Sequence, residues 1–171
     1  TTGFLLDRLA QARTSSDTLT YVQALGNTGD VAMLDELGRR SHSPAPEIRS
    51  AALWSLRSIE SPRAEDLLVG LAATSDEPAR VAIMRTLAFR PLTPRSETIL
   101  ADHLRADPSP RVREQVLRVT QAALRRSQPL RDAFDWCKRN DAAAALRDTA
   151  ARALMALPSA SPGPPRSLAG R

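Results

Sequence analysis

Four stretches of this sequence superimpose without gaps: PEIRSAALWSL, EPARVAIMRTL, PRVREQVLRVT and AALRDTAARAL. They align on Arg49, Arg80, Arg113 and Arg147, at spacings of 31, 33 and 34 residues. A period of that length means one small unit is repeated along the chain, which narrows the possible folds sharply. Three residues after each arginine stand Ala52, Ile83, Val116 and Ala150; four after stand Leu53, Met84, Leu117 and Ala151. Seven after come Leu56, Leu87, Thr120 and Leu154. Small and apolar residues in that rhythm form one face of a helix. Carrying the register back 31 residues from Arg49 reaches Thr18, with Tyr21, Val22 and Leu25 at the same offsets. A fifth copy is therefore expected there, lacking the arginine.

A second amphipathic segment lies between the copies: 31–40 with Met33, Leu34 and Leu37, and 64–73 with Leu67, Leu68 and Leu71. It recurs at 96–106 with Ile99, Leu100 and Leu104, and at 130–139 with Leu130, Phe134 and Cys137. The run Gly26-Asn27-Thr28-Gly29-Asp30 ends one helix and starts the next, with Asp30 as N-cap. Pro46, Pro78 and Pro110 fall in the first turn of the second helix, where a missing N–H costs nothing, and Asp76 and Asp107 stand ready to cap it. Strand signals are absent. A lone helix pair cannot bury both its apolar faces, but stacked pairs bury them in one continuous core.

The expectation is an all-α, right-handed superhelical solenoid of four to five stacked helix pairs over residues 1–157. Its repeats fall near 1–29, 30–60, 61–91, 92–127 and 128–157, and the Pro/Ser/Gly-rich segment 158–171 is expected to be a disordered tail or linker. The chain lacks a starting Met and enters a helical pattern at Phe4, which reads as a fragment of a larger protein or a processed chain.

Composition agrees with thin two-layer packing: 42% of residues are hydrophobic but only 4% aromatic, so the core must be built from Leu, Ala, Val and Ile. The net charge is +5, and Lys138 is the only lysine among 24 basic residues. Arginine bias of this kind is what GC-rich coding produces without selection for binding. The excess is also local, since residues 105–131 hold seven arginines against Asp107 and Glu114. Nucleic acid is thus a lesser expectation than a protein partner. Cys137 stands alone, which excludes an intramolecular disulfide and favours a reducing, cytoplasmic compartment. A secreted or periplasmic one stays open, because the native N-terminus reads as missing. No stretch is apolar enough to span a bilayer.

The Pro-x-x-Arg-x-x-Ala pattern of the second helix, followed by Leu25-Gly26-Asn27-Thr28-Gly29-Asp30, resembles HEAT repeats, including those of the phycobilisome-lyase-like group. The likeness covers about residues 18–157. A narrower one, carried by YVQALGNTGDVAMLDEL, PEIRSAALWSLRSI and EPARVAIMRTL over about 20–126, is to the helical domain of vitellogenin-type large lipid-transfer proteins. It implies a helical module beside a lipid-associated domain, and it supplies no catalytic residue.

In HEAT repeats the arginine of the second helix commonly bonds an Asp or carbonyls of an adjoining repeat. The resemblance therefore implies that Arg49, Arg80, Arg113 and Arg147 form a structural ladder between repeats, with Asp76, Asp107 and Asp141 as partners. It also implies that the second helices line a concave groove. Five residues after each ladder arginine stand Trp54, Arg85, Arg118 and Arg152, one above another. With Arg57, Arg125 and Arg126 they make a stripe of the residue types enriched at binding hot spots. Trp136 reads as packing and Cys137 as a small buried apolar residue. His42 and His103 belong to no metal-ligand spacing, and no nucleophile–base set or phosphate-binding loop occurs. Neither catalytic residue, metal nor cofactor is expected. The leading reading is a non-catalytic interaction scaffold, monomeric or part of a larger chain. The alternatives are a helical module of a vitellogenin-like lipid-transfer protein and nucleic-acid binding through a basic groove.

Overall fold

The computed structural model describes residues 2–73 and 75–158. The Pro/Ser/Gly segment from 159 onward lies outside them, so the expected tail is not part of the description that follows. Among the described residues ten helices run in order: α1 (Thr2–Gln11), α2 (Ser15–Gly26), α3 (Leu34–Arg40), α4 (Pro46–Ser55), α5 (Pro62–Ala72), α6 (Glu77–Phe89), α7 (Pro94–Ala106), α8 (Pro110–Thr120), α9 (Gln128–Asn140) and α10 (Ala144–Met155). Short 3-10 turns at Val31–Met33, Leu56–Ser58 and Gln121–Ala123 lead into α3 and extend α4 and α8. Among the described residues there is no strand.

The helices start where local chemistry lets them. Side chains of Thr14, Ser61, Asp76, Thr93, Ser109 and Ser127 accept from otherwise unpaired N–H groups in the first turns of α2 and α5–α9. Proline occupies the first or second position of α4 to α9, including the first-type helices α5, α7 and α9. One capping expectation is corrected. The cap of α8 is Ser109, while Asp107 terminates α7 and accepts from the Ser109 amide at 2.9 Å.

Packing makes these elements a solenoid. Each odd helix pairs with the even helix that follows it, and the even helices α2, α4, α6, α8 and α10 stack in one layer. The odd helices α3, α5, α7 and α9 form the other layer, with α7 and α9 in far more extensive contact than α3 with α5 or α5 with α7. The fold is thus the all-α HEAT-like solenoid that the repeat implies. Between the layers lies one continuous core in which Leu25, Leu53, Leu56, Leu68, Met84, Leu87, Leu104 and Phe134 are essentially inaccessible. Burying each such side chain contributes roughly 1.5–3 kcal/mol. Trp136 packs partly buried against this core.

The Leu25–Asp30 turn shows how closely the repeats approach. Gly26 lies so near α4 that a Cβ there would meet Ser55 Oγ at 2.2 Å and Ser55 Cα at 2.9 Å. The Ser55 hydroxyl uses this closeness to donate to the Val22 carbonyl at 3.2 Å. Gly29 takes a φ of +67°, the left-handed conformation that frees the chain to reverse before the Asp30 cap.

Candidate partner-binding face

The solenoid has two edges, formed by the turns within each helix pair and by the turns between pairs. The ladder arginines lie along the first. Arg80 donates from Nε and Nη2 to the two carboxylate oxygens of Asp107, at 2.9 and 3.0 Å, and from Nη1 to the Ser75 carbonyl at 2.8 Å. Arg113 repeats the arrangement with Asp141, at 2.8 and 3.0 Å, and with the Asp107 carbonyl at 2.7 Å. Arg49 reaches Asp76 at 2.5 Å and the Ser43 carbonyl at 2.6 Å. Among the described residues Arg147 keeps the carbonyl contacts alone, to Asp141 and Ala142 at 2.6 and 3.2 Å. Each guanidinium of the first three therefore ties the turn of its own pair to a carboxylate of the next.

Burial pushes the Asp107 carboxyl up, but hydrogen bonds from Arg80, the Ser109 amide and His103 outweigh it and hold Asp107 below the usual range. Asp141 is likewise held low against its burial by Arg113 and the Ala143 amide. His103 Nδ1 lies 2.8 Å from Asp107, a contact that links α7 to its own terminal turn.

The residues five after the ladder arginines lie on the even layer. On α4, half-buried Trp54 is the centre of a cluster. The Arg85 guanidinium carbon, from α6, is 3.9 Å from its ring centroid, and that of Arg57 is 4.6 Å away. Phe89 meets the indole edge-on, with centroids 5.2 Å apart and planes at 68°. Arg57 is further fixed by donating to Asn27 Oδ1 at 2.9 Å and to the Trp54 carbonyl at 3.0 Å. Desolvation, and then the Arg85 charge, draw the Arg57 pKa down from its ordinary value. Two like charges on one indole hold because the ring's negative face attracts each, by about 0.5–2 kcal/mol.

The remaining stripe residues are exposed but not drawn into this cluster. Arg118 on α8 donates to the Gln115 side chain, and Arg152 on α10 donates to Thr149 Oγ1 at 3.3 Å. Arg125 and Arg126 follow α8, both exposed. A cleft of about 350 Å³ opens in the odd layer beside Ile99, His103 and Asp107. A larger one, about 620 Å³, opens on the second edge between the end of α6 and the end of α8. Its lining includes Phe89, Leu92, Val119 and Ala123 with the charged Arg90, Glu97 and Arg126.

The buried Cys137 thiol is pushed up to about 12, by burial first and then by Asp141, so at neutral pH it is not a thiolate nucleophile. Among the described residues no three His, Cys, Asp or Glu side chains gather as a metal site, and no helix is long and apolar enough to cross a membrane.

The repeat ladder and the two-layer stack have a counterpart among known families, since the family model for HEAT repeats matches residues 3–88. The chain belongs to the HEAT-repeat family. No curated protein matches the sequence. HEAT repeats are commonly protein-interaction scaffolds and typically non-catalytic. In this HEAT protein the same helix pairing continues through α7–α10, beyond the matched residues.

Sequence reasoning missed two residues of the candidate face. Phe89 is 66% exposed and meets Trp54 edge-on. Arg90 donates to the Leu56 and Ile59 carbonyls at 2.5 and 2.7 Å and to Ser61 at 3.3 Å, bracing the turn beneath Phe89. Its only sequence signal is a place just before Pro91, outside the repeating register.

Proposed function

We propose that this HEAT solenoid is an interaction scaffold and that its partner, a protein, binds the outer face of the even-helix layer, centred on Trp54, Arg85 and Phe89. The single observation that carries the reading is the uneven distribution of ion pairs. On the odd helices Arg39, Arg40, Arg63, Arg95, Arg105 and Arg139 each contact a carboxylate, as do Arg49, Arg80 and Arg113 of the ladder and Arg111 on α8, while Arg8, Arg131 and Lys138 of the odd helices have none among the described residues. Among the described residues, Arg57, Arg85, Arg118, Arg125, Arg126 and Arg152 have no carboxylate within ion-pair distance. A set of guanidinia without carboxylate partners, beside half-buried Trp54 and exposed Phe89, has the composition of a binding hot spot.

The test compares proteins retained from native lysate by the wild-type chain, by R85E/R118E, and by R63E/R95E, which alters exposed pairs of the odd layer. Proteins lost only from R85E/R118E support the reading. Identical retention by all three would contradict it.

A further inference from the structure

We infer that the partner segment is an acidic peptide carrying one bulky apolar side chain, with carboxylates along Arg85, Arg118, Arg125 and Arg126 and the apolar group in the cleft beside Phe89. The inference rests on the proposed binding face and specifies what that face selects.

Charge complementarity comes first. Arg85, Arg118, Arg125 and Arg126 are exposed and lack an acidic partner among the described residues, so each can take a carboxylate without breaking an ion pair. Guanidinium–carboxylate pairs form short, directional, often bidentate contacts, the geometry already realised in this protein between Arg80 and Asp107. The apolar requirement comes from the 620 Å³ cleft, whose lining includes Phe89, Leu92, Val119 and Ala123 together with the charged Arg90, Glu97 and Arg126. Phe89 belongs to both, forming the cleft wall and touching the indole on which Arg85 lies.

The same face is poorly suited to nucleic acid. Bases stack on free aromatic faces, whereas Trp54 already carries two guanidinia and the edge contact with Phe89.

The experiment selects peptides from a displayed random library on the whole immobilised chain at about 0.15 M salt. Recovered peptides are then measured by fluorescence polarisation against wild type, R85E/R118E, R63E/R95E and F89S. All four altered arginines and Phe89 are exposed, and circular dichroism verifies each fold; R85Q/R118Q replaces the reversal should it unfold. The expected result is enrichment of acidic peptides with one large apolar residue, bound at least about tenfold more weakly by R85E/R118E (roughly 1.4 kcal/mol) and unchanged by R63E/R95E. F89S should weaken them too, and that effect should vanish when the peptide's apolar residue is replaced by Ser. Basic or neutral peptides that still need Arg85 and Arg118 would overturn the acidic partner while leaving the face intact. Peptides indifferent to every face variant, or no enrichment at all, would overturn both. Displacement of the peptides by a single-stranded oligonucleotide at comparable concentration, with steep salt dependence, would assign the face to nucleic acid and overturn the inference.

Discussion

Arg80 grips both carboxylate oxygens of Asp107 across the boundary between two repeats, while the Ser109 amide and His103 contact the same carboxylate. The Asp107 side chain is 1% exposed and that of Arg80 is 17%. Such a pair is costly to halve, because the surviving charge stays buried without its partner. Asp107→Ala should therefore destabilise the chain by about 3 kcal/mol. The Arg49–Asp76 pair is wetter, with Asp76 50% exposed, and Asp76→Ala should lose only about 1 kcal/mol, most of it from the α6 cap. Urea unfolding of both variants checks the ranking; equal losses would mean the ladder is not graded by burial.

Acid should loosen the same ladder. Asp107 and Asp141 are held below the unfolded carboxylate value, near 3.9, by their guanidinium and amide donors. A depressed carboxylate contributes stability that is fully present well above that value and is lost as pH falls through the folded pKa. Stability should be flat above about pH 5 and drop as pH falls below about 4, with a shallower drop in Asp107→Asn/Asp141→Asn. Thermal melts across this range measure both slopes, and parallel curves would remove these two groups from the acid response.

Gly26 fixes the spacing of the first two even helices. A methyl group there would meet Ser55 at distances no side-chain rotation relieves, because Ser55 Cα is itself 2.9 Å away. Gly26→Ala gains helix propensity worth about 1 kcal/mol. Overpacking works against that gain, and the clash with backbone should win, giving a net loss of roughly 1–2 kcal/mol. A more stable variant in denaturant melts would show that α2 and α4 can separate freely.

The spacing of Arg49, Arg80, Arg113 and Arg147 made the helix-pair architecture legible, because a periodic core leaves a periodic trace in its apolar offsets. What escaped was whatever departs from the period. The repeat register points to Asp107 as a helix cap, yet the side chain that caps α8 belongs to Ser109, two residues later. Trp54 and Arg85 share a register position and could be aligned in advance, but Phe89 could not be added. Ser58 and Ala122 occupy its place in the neighbouring repeats, inside 3-10 turns that α6 lacks. The cleft has the same origin, as it lies where α6 runs straight into Pro91 and Leu92 while α8 ends in such a turn. Contacts made once in a repeat protein carry no periodic signal.

The most direct test of the proposed face uses Trp54 as its own reporter. In a W136F background Trp54 is the only tryptophan, and its indole carries the Arg57 and Arg85 guanidinia. The chain would be titrated with a peptide selected on it, following indole emission and the polarisation of the labelled peptide together. A saturable emission change that tracks polarisation, and disappears in R85E/R118E, is the predicted result. Polarisation that saturates while Trp54 emission stays flat would contradict the account, because binding would then lie elsewhere on the solenoid.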